Sequence, residues 1–189
     1  TLNPELIKEL SDRRFGIGFD QLLTVRPPAK PDSDFRYTIY NADGSEAEQC
    51  GNGARCFLRF VRDEGLTTKT NIRLETNNAN ISCKLEEDGN ITVDMGRPAL
   101  QPGKVPFVAD NTQSKYTLSL GPKDIHTFSI SALNVGNPHA VITVPAADSA
   151  PVQEVGPLIE SHPRFPEGVN VGFMEIVSRK KIKLRVFER

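Results

Sequence analysis

The chain has 189 residues, 38% apolar and 25% charged, the balance of an ordinary globular protein long enough for one large or two small domains. Lys and Arg total 23 against 24 Asp and Glu, and the net charge of −1 gives no ground for a nucleic-acid partner. No apolar run is long enough to span a membrane and no secretory leader is visible, although an opening Thr1 in place of Met leads us to expect a missing or processed start.

Asn3-Pro4-Glu5 reads as an N-cap, a first-turn proline and a first-turn acid, and Leu6, Ile7 and Leu10 give the helix that follows one apolar face. Residues 19–25 read as a strand closed by Pro27-Pro28. Residues 35–40 alternate aromatic and apolar with polar side chains and read as a second strand, followed by a turn at Asn41-Ala42-Asp43-Gly44. A helix is expected over about 53–64. Ala54, Phe57 and Val61 share one of its faces, Leu58 lies beside them, and Gly65 stands at the C′ position. Strands are expected at 72–76, 81–85 and 91–95, joined by hairpin connections at 77–80 and 87–90.

Pro98, Pro102 and Pro106 break this pattern. The boundary between an N-terminal domain, residues 1–100, and a C-terminal domain, residues 101–189, is placed there. The second domain is expected to hold strands at 116–120, 127–133, 140–144, 170–177 and 182–187. One helix lies between Pro151 and Ser161, with Val155, Leu158 and Ile159 inward. Each half mixes several strands with few helices, and regular βαβ alternation is absent. The fold class is therefore α+β, and the pattern argues against a doubly wound nucleotide fold.

The segment from Glu48 to Cys56, Glu-Gln-Cys-Gly-Asn-Gly-Ala-Arg-Cys, places Cys50 against two glycines and Asn52 where the helix begins. A helix N-terminus carries unpaired amides and partial positive charge, which favour a thiolate and can also hold a carboxylate. One short segment can thus supply a base and an anion grip. The alternative is a small cysteine buried at a tight turn. Cys56, inside the helix, and Cys83, in a strand, read as core. Three cysteines at this length make no disulfide framework and read as thiols of a reducing, cytoplasmic compartment. Their spacing with His126, His139 and His162 matches no zinc pattern, so no metal is expected. Gly51 and Gly53 lack the third glycine of a dinucleotide fingerprint, and no phosphate loop occurs.

Gly136-Asn137-Pro138-His139 interrupts an apolar run at a strand end, because a proline there denies a ladder donor. Asn137 and His139 are cleft candidates, and an imidazolium at His139 would favour a nearby thiolate. The alternative is a turn with a surface histidine. Asn41, Asn170 and Gln21 carry amides that suit an amino-acid zwitterion. Taken singly, turn chemistry for the asparagines and a sheet-edge place for Gln21 are the favoured readings. Glu188-Arg189, after the last apolar strand, reads locally as a solvated pair.

Taken together, these segments resemble the diaminopimelate epimerase family. Asn41-Ala42-Asp43-Gly44-Ser45 through Cys50-Gly51-Asn52-Gly53-Ala54-Arg55 looks like that family's first cysteine signature. Gly16-Ile17-Gly18-Phe19-Asp20-Gln21, Gly136-Asn137-Pro138-His139, Asn170-Val171-Gly172-Phe173 and Arg185-Val186-Phe187-Glu188-Arg189 match further segments in order, over essentially the whole chain. The resemblance implies two pseudo-symmetric, barrel-like, strand-rich domains, each around a central helix, with the substrate in a cleft between them. It implies a cofactor-independent epimerase of lysine and peptidoglycan precursor synthesis, in which one thiolate removes the α-proton and a second thiol returns one from the opposite face. Cys50 is then one of the pair. Gln21, Asn41, Gly51, Asn52, Asn137, Asn170, Glu188 and Arg189 match substrate-holding positions, and His139 and Glu188 match positions that adjust the cysteines. A homodimer with diaminopimelate as its small-molecule substrate is expected, with no nucleic acid and no membrane.

The family pattern also has an opening strand ahead of Thr1 and a second cysteine segment after Arg189. On these 189 residues alone the expectation is one of the two acid–base groups, incomplete sheets and no epimerisation. The competing readings are a proline or hydroxyproline racemase and a non-catalytic member of the fold that binds a small amino acid. A thiol redox protein fits poorly, because Cys50 and Cys56 lack the close spacing of such pairs.

Overall fold

A computed structural model of the chain describes residues 2–47, 50–76, 80–120 and 126–188. The chain divides into two compact units, Thr1–Gly96 and Arg97–Arg189, each with its own sheet and core.

In the first unit α1 (Pro4–Ser11) is capped by Asn3, whose side chain accepts from the Leu6 amide at 2.8 Å. Of its expected apolar face only Ile7 is buried, and Leu6 is 37% exposed. Five strands form a sheet in the order β1 (Gln21–Arg26), β2 (Phe35–Asn41), β4 (Asn71–Glu75), β5 (Asn80–Leu85) and β6 (Ile91–Asp94), and the short β3 (Glu46–Ala47) pairs with β2. The β2–β4 pair is parallel and the others are antiparallel. Parallel neighbours need a crossover, and α2 (Gly51–Asp63) supplies it.

Helix α2 buries Ala54, Phe57, Leu58 and Val61 at helical spacing against Tyr37, Ile39, Ile72, Leu74 and Ile81 of the sheet. Phe57 meets the rings of Tyr37 and Phe35 edge-on, at 5.1 and 5.9 Å. Truncating a buried Phe to Ala costs about 3–5 kcal/mol, so this ring anchors the helix. Two expectations are corrected. The helix starts at Gly51 and not near Gly53, which makes Cys50 its N-cap. Cys56 is exposed and not core, because at 100° per residue it falls opposite the buried stripe, beside Arg55 and Arg59. Cys83 is fully buried, as expected, with its thiol 3.7 Å from the Ala54 carbonyl. Of the expected hairpin connection at 77–80, residues 77–79 lie outside the described residues.

In the second unit the sheet order is β11 (Lys181–Phe187), β10 (Asn170–Ser178), β9 (Pro138–Thr143), β8 (His126–Asn134) and β7 (Tyr116–Leu120). Again one pair is parallel, β9 with β10, and again a helix, α3 (Val152–Glu160), makes the crossover. Leu118, Ile130, Ile159, Val171 and Phe173 lie at the centre of the core. The inward face of α3 differs from expectation. Val152, Gly156 and Ile159 are buried, Val155 packs at the core margin and Leu158 is 52% exposed. The phase is set by Gly156: a Cβ there would stand 2.6 Å from the Phe187 side chain, so only glycine lets the helix lie against β11. Both units are mixed sheets with few helices, the α+β class expected. Among the described residues no helix is long and apolar enough to cross a membrane.

Candidate active site

In the first unit the polar candidates gather at one end of β1 and β2 and at the start of α2. Gln21 opens β1 and pairs with Asn41, which closes β2. The Gln21 amide donates to the Asn41 side-chain oxygen at 3.3 Å, and Asn41 in turn donates to the Ser45 hydroxyl at 3.1 Å. Gln21 thus sits on an edge strand, at its first residue and not inside it.

Cys50 is half-buried, extended at φ −139° and ψ 111°, and its sulfur accepts from the Gly53 amide at 3.3 Å. Side-chain oxygens usually fill this capping role. Here a sulfur does, so the atom proposed to react is held by an amide that has no carbonyl partner within the helix. Gly51 and Asn52 are the first two helical residues, half-buried and exposed respectively. The first amides of a helix have no carbonyl partner within it. Both residues therefore present donors beside the sulfur. Gly53 has to be glycine for a steric reason: a Cβ there would collide with the Tyr37 hydroxyl, which lies beneath the first turn.

In the second unit the parallel pairing collects the candidates at one end of the sheet. Asn137 precedes β9, which Pro138 opens. His139 is register-paired with both Leu133 and Asn170, the first residue of β10. Glu188 follows β11 one residue beyond the Val171–Phe187 pair. Asn137, His139, Asn170 and Glu188 thus share one end of the sheet through three strand ends. His139 Nε2 lies 2.9 Å from Asn137 Oδ1. The amide oxygen can only accept, so this contact assigns the proton to Nε2 and leaves Nδ1 as the acceptor. Burial pushes the His139 pKa below its ordinary value, and the nearby charge of Glu188 opposes that only in part. This burial weighs against the imidazolium form expected from the sequence. Asn170 is 8% exposed and carries partners of its own, and Glu188 is exposed. Arg189 lies outside the described residues.

Neither Cys56 nor Cys83 suits proton exchange with a ligand. Cys56 points off the exposed face of α2, and burial pushes the Cys83 thiol up to about 11. Two cavities of about 220 and 400 Å³ in the first unit share Asp32 and Arg73 and include none of the candidate residues. Concavity and chemistry therefore disagree, and the chemistry carries the assignment, because strand ends and a helix N-terminus place the reactive groups. Sequence reasoning passed over two residues of this region, Tyr37 and Arg55. Each had a signal: an inward aromatic with a hydroxyl that needs a partner, and an arginine four residues beyond Gly51, within reach of a carbonyl one turn back.

Comparison with known proteins gives a consistent result. The family model described as diaminopimelate epimerase matches residues 1–101 and 131–189. A diaminopimelate epimerase from Aromatoleum aromaticum is 55% identical over 188 residues, covering 100% of this chain and 67% of that protein. Among solved structures, a probable proline racemase from Agrobacterium radiobacter aligns with a TM-score of 0.69 at 15% identity, over 97% of this chain and 58% of that one. A hydroxyproline epimerase from Agrobacterium vitis aligns with a TM-score of 0.66 at 12% identity, over 96% and 57%. These two likenesses are of fold. The chain spans 67% of the sequence relative and less than two thirds of either solved protein.

Proposed function

The chain belongs to the diaminopimelate epimerase family, and from that premise we propose that it interconverts LL- and meso-2,6-diaminopimelate, with Cys50 as one of two proton carriers. The observation that carries the reading is the Cys50 sulfur, capped by the Gly53 amide at the start of α2. As a thiolate, Cys50 takes the α-proton: the C–H bond breaks, an S–H bond forms, and the electron pair moves toward the substrate carboxylate. A second thiol gives its proton to the opposite face, so the centre inverts with no net oxidation or reduction. This second thiol is neither Cys56 nor Cys83, for the reasons given above.

An α-proton beside a carboxylate is very weakly acidic, so the step depends on donors that tighten as charge moves onto the carboxylate oxygens. The Gly51 and Asn52 amides are the donors proposed for this. Gln21 and Asn41, paired across β1 and β2, are proposed to add further amide contacts to the substrate. In the second unit the amides of Asn137 and Asn170, the carboxylate of Glu188, and Arg189 are proposed to hold the substrate's charged groups. Neutral His139, steered by Asn137, is proposed to offer Nδ1 as an acceptor. The reaction belongs to lysine and peptidoglycan precursor synthesis, and a cytoplasmic homodimer goes with this reading. The three free thiols suit a reducing compartment.

Solvent deuterium incorporation tests the substrate. The full-length protein is expected to exchange the α-hydrogen of LL-diaminopimelate and to leave proline untouched. Exchange of proline alone would transfer the assignment to a proline racemase.

A further inference from the structure

The backbone beside Cys50 is held at two carbonyl oxygens. Tyr37 on β2 donates its hydroxyl to the Cys50 carbonyl at 3.5 Å, and the Ala54 amide reaches the same oxygen at 3.0 Å. Arg55 donates Nη1 to the Gly51 carbonyl at 3.0 Å and Nε to the Ile91 carbonyl of β6 at 3.2 Å. Arg55 is exposed and held by these two bonds, whereas Tyr37 is held by packing. Tyr37 is 2% exposed, edge-on to Phe57, with its hydroxyl against Gly53. Burial pushes its phenol far above the ordinary range, so the hydroxyl stays a donor at any working pH. Arg55 spans from helix to sheet.

A peptide group is one conjugated unit. A donor on its oxygen draws charge from its N–H, and hydrogen bonds in a chain strengthen one another. The Cys50 carbonyl shares a peptide group with the Gly51 amide, and the Gly51 carbonyl shares one with the Asn52 amide. We infer that Tyr37 and Arg55 are positioning residues: through these two peptide groups they aim and strengthen the Gly51 and Asn52 amides as donors to the substrate carboxylate, and they fix Cys50 beside them. The inference rests on the reading above, in which those amides grip a carboxylate.

Two reagents separate this role from a merely structural one. Iodoacetate and iodoacetamide alkylate the same sulfur, but only iodoacetate brings a carboxylate. Their rate ratio at Cys50, divided by the ratio for free cysteine, reports the grip. The background carries Cys56→Ala, and modification is read on the Cys50 peptide by mass. Tyr37→Phe keeps the ring packing, and Arg55→Lys keeps the charge. Each variant is expected to lower the ratio about three- to tenfold, the scale of one net hydrogen bond, and to lower kcat by more than it raises KM. An unchanged ratio in both variants, or equal slowing with both reagents, overturns the inference. A wild-type ratio no higher than that of free cysteine overturns the carboxylate-grip reading, and the inference with it.

Discussion

The sulfur of Cys50 lies 3.3 Å from the amide nitrogen of Gly53, a cysteine capping the helix it begins. One atom thus serves two ends. It closes an orphan donor of α2, and it stands where an anion is welcome.

Those two roles come apart in Cys50→Ser. Serine is among the preferred N-caps, so the melting temperature is expected to hold or rise slightly. Proton exchange is expected to fall about 10²- to 10⁴-fold, the range for loss of a general base. Calorimetry and deuterium exchange on one sample check both. A large drop in stability would contradict the capping role.

Gly53→Ala forces a methyl group into the Tyr37 hydroxyl. Overpacking of this kind costs about 1–3 kcal/mol, and the displaced turn is expected to slow exchange. Adding Tyr37→Phe removes the colliding oxygen and is expected to restore part of the stability. A double-mutant cycle by chemical denaturation measures this coupling. Strict additivity of the two changes would show that they do not meet.

Much of this arrangement is legible in the sequence. The stripe of Ala54, Phe57, Leu58 and Val61 marks the inner face of α2, and the alternation at Tyr37 and Ile39 marks the face of β2 against it. What local pattern does not carry is partnership across distance. Helices α2 and α3 bridge parallel strand pairs, and the β9–β10 pairing brings His139 beside Asn170. The exposed Leu158 shows the same limit. Its spacing suits an inward face, yet contact between Gly156 and Phe187 turns the helix away. Cys56 has core-like chemistry, but at 100° per residue it falls opposite the stripe of Ala54, Phe57 and Val61, so periodicity outweighs residue type. Gly53 is explained only once Tyr37 is seen beneath it.

Gly156→Ala tests the packing of α3 against β11 in the second unit. The added methyl meets Phe187, the neighbour of Glu188. A loss of about 1–3 kcal/mol is expected, with weaker substrate binding from displacement of Glu188. Denaturant unfolding and the KM for diaminopimelate report the two effects. Unchanged KM beside lost stability would separate Glu188 from the substrate.

His139 gives a pH signature. Its pKa is lowered by burial, so the folded state favours the neutral ring. Its contribution to stability is complete above the unfolded value, near 6.5. It is lost as pH falls from there through the lower folded value, because the unfolded chain binds the proton first. His139→Gln is expected to flatten that part of the stability–pH curve. A curve that keeps the same step in the variant would assign the titration to another group.

The most direct measurement is α-hydrogen exchange of LL-diaminopimelate in deuterated water, with the full-length protein and its Cys50→Ala variant compared beside a binding isotherm. The account predicts that the variant still binds the substrate and loses exchange about 10²- to 10⁴-fold. Undiminished exchange in the variant would contradict the assignment of Cys50 as a proton carrier.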